Sequence, residues 1–158
     1  RVIVSGTAGV DLLSVEWALD NGVGADLYLP YDEASFVSGA VNYGEHAARW
    51  MEIYNRAKGD QRARIYVPEL VSQPGQPASK VAVDALDTSG QVYVDLNEHM
   101  INQLRPGDRV VAYWDGKGGD APGGTEDALR QAQQEQHAQI TILNTHLENT
   151  ASTYPTLQ

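Results

Sequence analysis

The sequence predicts an α/β fold in which helices flank a parallel sheet, giving three layers. Strand-like and helix-like patterns alternate along the chain, which is typical of parallel α/β domains. Two glycine-rich turns, at residues 5–11 and 115–125, each lie between an apolar strand-like run and a helix-like pattern. The unbroken apolar run at 109–114 is typical of a strand that is covered on both faces.

In the first half of the chain, apolar spacing and turn residues predict three strands and two helices. The first helix is expected to bury four apolar residues that recur at helical spacing. They are Val10, Leu13, Trp17 and Ala18. The predicted elements are strands at 2–5, 25–29 and 65–67, helices at 10–21 and 43–57, and a loop at 31–40.

In the second half, residues 72–80 contain two prolines and a glycine, which favours a flexible loop. Residues 81–86 fit either a strand or a short helix. The alternation at 91–94 favours a strand, and Asp95 with Glu98 has the spacing of a capping box that starts a helix. The remaining predicted elements are a strand at 109–114, a helix at 125–136 and a strand at 140–143. We therefore expect one domain at 1–147 and a polar tail at 148–158.

Size and charge exclude several functional classes. The 158 residues suffice for one core, and no run reaches the roughly 18–20 apolar residues of a membrane span. The start of the chain has no signal-peptide pattern, and the chain has no cysteine, which fits a cytoplasmic protein. A net charge of −10 with scattered basic residues argues against nucleic acid as a partner. A small ligand bound by local dipoles remains compatible with that charge.

The first turn has residue types suited to an anionic ligand. Gly6 and Gly9 allow close approach of a ligand to the backbone, and Thr7 can donate its hydroxyl. Asp11 would accept hydrogen bonds from a ribose or complement the dipole of the following helix. The alternative is a tight strand-to-helix turn that binds nothing.

The second turn is richer in glycine, and ordering it is costly unless something binds or packs there. Asp115, Gly116 and Lys117 open it, and residues 118–120 continue it. Pro122, Gly123, Gly124 and Thr125 then lead into a helix, with Thr125 as the expected N-cap and the glycine N–H groups exposed above it. Glu126 and Asp127 in the first helical turn would repel a phosphate, which Lys117 would partly offset. If the strands are neighbours in one parallel sheet, both turns lie at its carboxyl edge, where such sheets bind ligands.

The residues at 4–11 and 111–125 resemble the SLOG superfamily, which joins the DNA-processing Smf-type domains and the LOG (lysine-decarboxylase-like) phosphoribohydrolases. The segment at 97–101 is also similar to that of uncharacterised bacterial members. The resemblance implies a three-layer Rossmann-like fold, a nucleotide-derived ligand and, in some members, cleavage of an N-glycosidic bond. It assigns binding to Gly6, Gly9, Asp11, Asp115, Gly116, Gly124 and Thr125. The chain departs from the hydrolytic pattern at Ala128, where those enzymes have a glutamate.

Three functions follow from these observations. The first is a sensor or binding domain for a nucleotide-like small molecule, without a metal or cofactor. The second is an N-glycoside hydrolase or ribosyl-transferring enzyme, with Glu126, Asp127, Asp115 and Asp11 as candidate catalytic carboxylates. The third is a protein-interaction module in which the glycine loops are connectors. A homodimer is also expected, because related folds often dimerise.

Overall fold

The computed structural model describes residues 1–70, 73–86, 90–117, 122–136 and 139–144. The chain divides into two compact units, an N-terminal unit (Arg1–Thr88) and a C-terminal unit (Ser89–Gln158). The predicted tail at 148–158 lies outside the described residues. Each unit contains parallel strands joined through helices, so the chain is a mixed α/β protein.

The N-terminal unit contains a three-stranded parallel sheet in the order β1-β2-β3. The strands are β1 (Val2–Val4), β2 (Ala25–Tyr28) and β3 (Ala63–Tyr66), all close to their predicted positions. Every residue of the central strand β2 is buried. The β-α-β order of this unit places the carboxyl ends of all three strands at one edge.

A buried carboxylate in β2 hydrogen-bonds to residues at both neighbouring strands. Asp26 in β2 is only 5 % exposed, and it accepts hydrogen bonds from Arg1 before β1 and from Arg64 in β3. The Arg1 Nη2–Oδ1 distance is 2.6 Å, and the Arg64 Nε–Oδ1 distance is 3.0 Å. The hydrogen bond to Asp26 raises the pKa of Arg1. Pairing with two cations offsets the desolvation of this carboxylate.

Two long helices of this unit, α1 (Val10–Asp20) and α3 (Ala47–Gly59), pack against each other. The helix α1 starts at its predicted residue and ends one residue earlier than predicted. Three of the four residues predicted to be buried in it are exposed. Its buried face instead consists of Leu12, Val15, Ala18 and Leu19. The prediction chose the wrong face because α1 is apolar on both sides, and spacing alone does not distinguish them. The helix α3 starts four residues later than predicted.

The segment predicted as a loop at 31–40 is instead helical. It contains a short helix α2 (Glu33–Phe36), followed directly by a π-helical turn at Val37–Val41. Asp32 caps α2, because its Oδ1 accepts the N–H of Ser35 at 2.9 Å. In the π-helical turn, the N–H of Asn42 donates to the carbonyl of Val37 at 2.8 Å. Elements this short have too few residues to show a helical period.

In the rest of the N-terminal unit, the loop predicted at 72–80 is wrong, and the residues at 81–86 are helical. Where a loop was predicted at 72–80, β5 (Gln73–Pro77) pairs antiparallel with β4 (Glu69–Leu70). The ambiguous stretch at 81–86 belongs to a helix, α4 (Lys80–Leu86). The N–H of Lys80 donates to Asp32 Oδ2 at 2.8 Å, so one carboxylate contacts the starts of both α2 and α4.

The C-terminal unit contains α5 (Gln91–Ile101), β6 (Arg109–Trp114), α6 (Thr125–Gln136) and β7 (Gln139–Asn144). The strands β6 and β7 are parallel and paired over their full length. The strand predicted at 91–94 is wrong, because these residues form the start of α5. Gly90 precedes this helix with φ +80°, a conformation that favours glycine.

The strand β6 differs from prediction in its exposure. Val111 and Tyr113 are 59 % and 48 % exposed, so β6 is not covered on both faces. Strand pairing gives separate small sheets among the described residues, where one continuous sheet was expected. None of the helices in the described segments is both long and apolar enough to cross a membrane.

Candidate functional site

The turn after β1 depends on two glycines with positive φ. Gly6 has φ +81° and Gly9 has φ +105°, and side chains other than glycine are strained there. A Cβ atom added at Gly6 would lie 3.1 Å from Leu27 Cδ2, whereas one at Gly9 would meet nothing within 4 Å. Gly6 therefore also serves packing, and Gly9 borders open space at the start of α1.

The Asp11 carboxylate organises this turn. Its Oδ2 accepts hydrogen bonds from the Ser5 hydroxyl, from the Thr7 hydroxyl at 3.1 Å and from the Thr7 N–H at 3.3 Å. The Thr7 hydroxyl, predicted to donate to a ligand, donates here to Asp11. All three donors share one oxygen, and no described residue donates to Oδ1. Asp11 thus combines a structural role with one oxygen that can accept a further hydroxyl.

The backbone N–H groups near this turn divide into bonded and open positions. The N–H of Ala8 donates to the carbonyl of Ala40 in the π-helical turn at 2.9 Å. The N–H groups of Gly9, Val10 and Asp11 donate to no described residue, as is typical of a first helical turn. These three amides lie at the positive end of the α1 dipole and are the part of the turn that can bind an anion.

The same sheet edge carries aromatic side chains at the ends of β2 and β3. The rings of Tyr28 and Tyr66 stack with centroids 4.6 Å apart. The Arg64 guanidinium carbon lies 5.9 Å from the centroid of the Tyr66 ring, and its side chain is 57 % exposed. Burial raises the pKa of the Tyr28 hydroxyl. Open α/β sheets bind ligands at this kind of edge.

The loop after β6 is closed by local hydrogen bonds. Asp115 Oδ1 accepts the N–H of Lys117 at 3.0 Å, and Trp114 Nε1–H donates to the carbonyl of Lys117 at 2.6 Å. Gly116 between them has φ +82°. The candidate residues Asp115, Gly116 and Lys117 thus form one small turn. The rest of this glycine loop, residues 118–121, lies outside the described residues.

Gly123 packs tightly against α5. A Cβ atom at this position would lie 2.6 Å from Tyr93 Cβ and 2.7 Å from the Val94 nitrogen. The Gly123 carbonyl accepts a hydrogen bond from Asn97 Nδ2 at 2.7 Å. Its N–H, predicted to be exposed for an anion, donates to Asp127 Oδ2 at 3.0 Å. This glycine therefore supports helix packing, and its amide already has an anionic partner.

The start of α6 differs from the predicted cap. The helix begins at Thr125, and the N–H of Ala128 donates to the carbonyl of Gly124 at 3.1 Å. Gly124 therefore occupies the N-cap position that was predicted for Thr125. Thr125 itself is exposed.

The candidate catalytic carboxylates Glu126 and Asp127 both contact Arg130, one turn further along α6. The Arg130 Nη2–Glu126 Oε1 distance is 2.6 Å, and the Nη1–Asp127 Oδ1 distance is 3.5 Å. Together with the bond from Gly123 to Asp127, these contacts stabilise the start of the helix. Among the described residues, no group of three or more His, Asp or Glu side chains is placed to hold a metal ion.

The structure brings Gly6, Thr7, Gly9 and Asp11 into one turn of the N-terminal unit. In the C-terminal unit, Gly123, Glu126 and Asp127 form one connected group, and Asp115 to Lys117 form a local turn. The sharing of one pocket by both turns stays a prediction. Sequence reasoning missed Ser5 and Asn97 as turn-forming residues, since neither has a distinctive spacing from its acceptor.

Comparison of the chain with protein-family models, with curated proteins and with solved structures gives no match.

Proposed function

We propose that the chain binds a nucleotide or a nucleotide-derived small molecule at residues 5–11 of the N-terminal unit, as a sensor or binding domain. The observation that carries the proposal is that the N–H groups of Gly9, Val10 and Asp11 donate to no described residue, at a glycine turn where nothing lies within 4 Å of a Cβ added at Gly9. An anionic group there gains both hydrogen bonds and the helix dipole.

The ligand is a nucleotide in this proposal because the turn offers two kinds of partner. The amides accept a phosphate, and Asp11 Oδ1 accepts a ribose hydroxyl beside it. The bonds that Ser5 and Thr7 make to Oδ2 fix the carboxylate and reduce its repulsion of the phosphate.

The same proposal includes a three-layer Rossmann-like arrangement, membership of the SLOG superfamily and a cytoplasmic location. The Rossmann-like arrangement is supported by the parallel order β1-β2-β3 and the parallel pair β6-β7. Membership of the SLOG superfamily is supported by the strand-turn-helix at 2–20, because its glycines have the positive φ that such a turn requires. The cytoplasmic location is supported by the absence of cysteine.

Binding is favoured over N-glycosidic hydrolysis. In the C-terminal unit, Glu126 and Asp127 both contact Arg130, and Asp115 accepts the N–H of Lys117. Asp11 is fixed by three donors to one oxygen. A carboxylate that stabilises an oxocarbenium-like charge has to face the substrate, whereas Glu126, Asp127 and Asp115 face their own turns.

The test is thermal unfolding of the full chain with nucleoside mono- and diphosphates and nucleotide sugars. A ligand at 100 times its dissociation constant adds about 2.7 kcal/mol to the unfolding free energy. The variant Val10→Pro removes one open amide but keeps α1, because proline is tolerated at the first helical position. We expect it to weaken binding about tenfold, the loss of one charge-assisted hydrogen bond.

The matched control is Thr125→Pro, which makes the same change at the first residue of α6. We expect this variant to bind as the unchanged chain does. If Thr125→Pro weakens binding and Val10→Pro does not, the ligand belongs to the second turn and the proposed site is wrong. Chromatography of the same mixtures for free base tests hydrolysis, and release of base would overturn a pure binding role.

A further inference from the structure

One face of the N-terminal sheet carries charged and aromatic side chains side by side. The strand register pairs Asp26 with Arg64 and Tyr28 with Tyr66. Paired residues, and residues two apart along a strand, have their side chains on the same face of a sheet. These four residues therefore share one face. Leu27, against which the glycine turn packs, lies on the opposite face.

On this shared face, the guanidinium of Arg64 has terminal nitrogens without a partner. Its Nε donates to Asp26 Oδ1 at 3.0 Å, whereas Nη1 and Nη2 donate to no described residue. The side chain is 57 % exposed. In the described part of this unit, every other lysine or arginine bonds a carboxylate through a terminal nitrogen. They are Arg1, Arg49, Arg56, Lys58, Arg62 and Lys80.

The buried carboxylate of Asp26 is already neutralised by a different arginine. Arg1 donates to both of its oxygens, from Nε to Oδ2 and from Nη2 to Oδ1 at 2.6 Å. Such a bidentate pair matches one carboxylate with one guanidinium. Arg64 therefore adds a positive charge in excess at this site, on a chain whose net charge is −10. The excess charge lies at the exposed end of the Arg64 side chain.

The Arg64 side chain is restrained by two contacts. Besides the bond from Nε to Asp26, its guanidinium carbon lies 5.9 Å from the centroid of the Tyr66 ring, within the range of a cation–π contact. The Tyr66 ring in turn stacks on Tyr28, which is buried. A side chain that is already ordered loses less conformational entropy when a ligand binds. Arg64 thus presents its two Nη groups as a pre-organised fork.

We propose that Arg64 binds a carboxylate ligand through parallel hydrogen bonds from Nη1 and Nη2. The planar guanidinium fork matches the two oxygens of a carboxylate. The single excess positive charge also matches the single negative charge of that group. A phosphate carries a charge of about −2 and would be repelled more strongly by Asp26, which bonds the same guanidinium. The carboxylate belongs either to a small acid or to an acidic side chain of a peptide.

The test is a titration of the full chain with acetate at constant ionic strength, followed by the backbone N–H signals of β3 in NMR spectra. We expect a saturable shift with a dissociation constant of about 10 mM, as for one exposed bidentate pair. Acetamide, which has the same shape without the charge, should cause no such shift. Arg64→Lys keeps the positive charge but replaces the fork with a point charge, and about tenfold weaker binding is expected.

The matched control is Arg62→Lys, which makes the same change two residues earlier. Arg62 is 45 % exposed, but its Nε and Nη2 already bond Asp60. This variant should bind acetate as the unchanged chain does. Val10→Pro, which tests the nucleotide site, should also leave acetate binding unchanged, so the two proposals can fail separately.

A blocked tripeptide with a central glutamate distinguishes the two sources of the carboxylate. Binding at least tenfold tighter than that of acetate supports a peptide partner, and equal binding supports a small acid. Three results would overturn the proposal. They are the absence of saturation by either probe up to about 100 mM, equal weakening by Arg64→Lys and Arg62→Lys, and tighter binding of methyl phosphate than of acetate.

Discussion

The two glycine-rich turns have the same hydrogen bond at the start of a helix. In each, an aspartate in the first helical turn accepts a hydrogen bond from the N–H four residues earlier. Asp11 reaches Thr7 at 3.3 Å, and Asp127 reaches Gly123 at 3.0 Å. The carboxylate supplies negative charge where the helix dipole is positive, so both turns are stabilised from within.

The turns differ in what surrounds their glycines. Gly9 has nothing within 4 Å of an added Cβ, whereas Gly123 has Tyr93 and Val94 of α5 closer than 3.0 Å. The first turn therefore has room for a ligand, and the second uses its glycine to let a loop approach a helix. A glycine pattern in a sequence does not distinguish these two uses.

The largest effect is expected from Gly123→Ala. Positive φ costs a residue other than glycine about 1–3 kcal/mol, and overpacking against α5 adds about 1–3 kcal/mol. Gly9→Ala carries only the first cost, since its Cβ enters open space. Residue-resolved hydrogen exchange, read at β6 for Gly123→Ala and at β2 for Gly9→Ala, measures each loss. Equal losses would mean that the space around the two glycines does not differ as described.

A smaller effect is expected from truncating the two aspartates. Asp11→Ala removes the acceptor of three hydrogen bonds and should lower the unfolding free energy by about 2 kcal/mol. Asp127→Ala removes the bond from Gly123 and a long contact with Arg130, and about 1 kcal/mol is expected. The same exchange measurement compares them. A larger loss for Asp127→Ala would show that the second turn depends more on its internal carboxylate.

The smallest effect concerns Asp32, a third carboxylate that accepts hydrogen bonds from helix amides. The N–H of Lys80 and then that of Ser35 lower the pKa of Asp32 below its usual value. Because the folded pKa lies below the unfolded one, this stabilisation is present above about pH 4 and is lost as pH falls through the folded pKa.

Asp32→Asn should therefore remove part of the loss of stability in acid. It should also lower stability at pH 7 by about 1 kcal/mol, because an asparagine has one acceptor oxygen for the two N–H groups of Ser35 and Lys80. Urea unfolding of both proteins between about pH 2 and pH 7 provides the measurement. Parallel pH profiles for the two proteins would show that internal carboxylates do not act as anions for helix starts in this chain.

Sequence patterns located most of the strands and long helices of each unit. The bounds of α1 and β6 follow from apolar runs flanked by glycine turns, and the start of α6 follows from the glycines just before it, which are strong local signals. The prediction of a strand at 91–94 is wrong. Val92 and Val94 alternate with polar or aromatic residues, which favours a strand, but the helix that forms there depends on contacts such as that of Gly123 with Tyr93. Short α2 and the π-helical turn have no period to detect.

The sequence predicted which residue types form the candidate site, but it did not predict which hydrogen bonds these residues make. Gly6, Gly9 and Asp11 could be selected because glycine and aspartate at a strand-to-helix turn have known physical roles. That the Thr7 hydroxyl is taken by Asp11, and that Asp127 takes the Gly123 amide, depends on side-chain directions that spacing does not specify. For a similar reason the sequence did not predict which side of α1 is exposed, since both of its sides are apolar.

The π-helical turn at Val37–Val41 has a consequence for changes in chain length. Its wider winding accommodates one more residue than an α-helical turn would, and its Ala40 carbonyl accepts the N–H of Ala8. Deleting a single amino acid here would tighten the winding and withdraw that carbonyl from the glycine turn. An insertion or deletion scan should therefore find this stretch intolerant of a one-residue change, although it lies outside the long helices and the sheet.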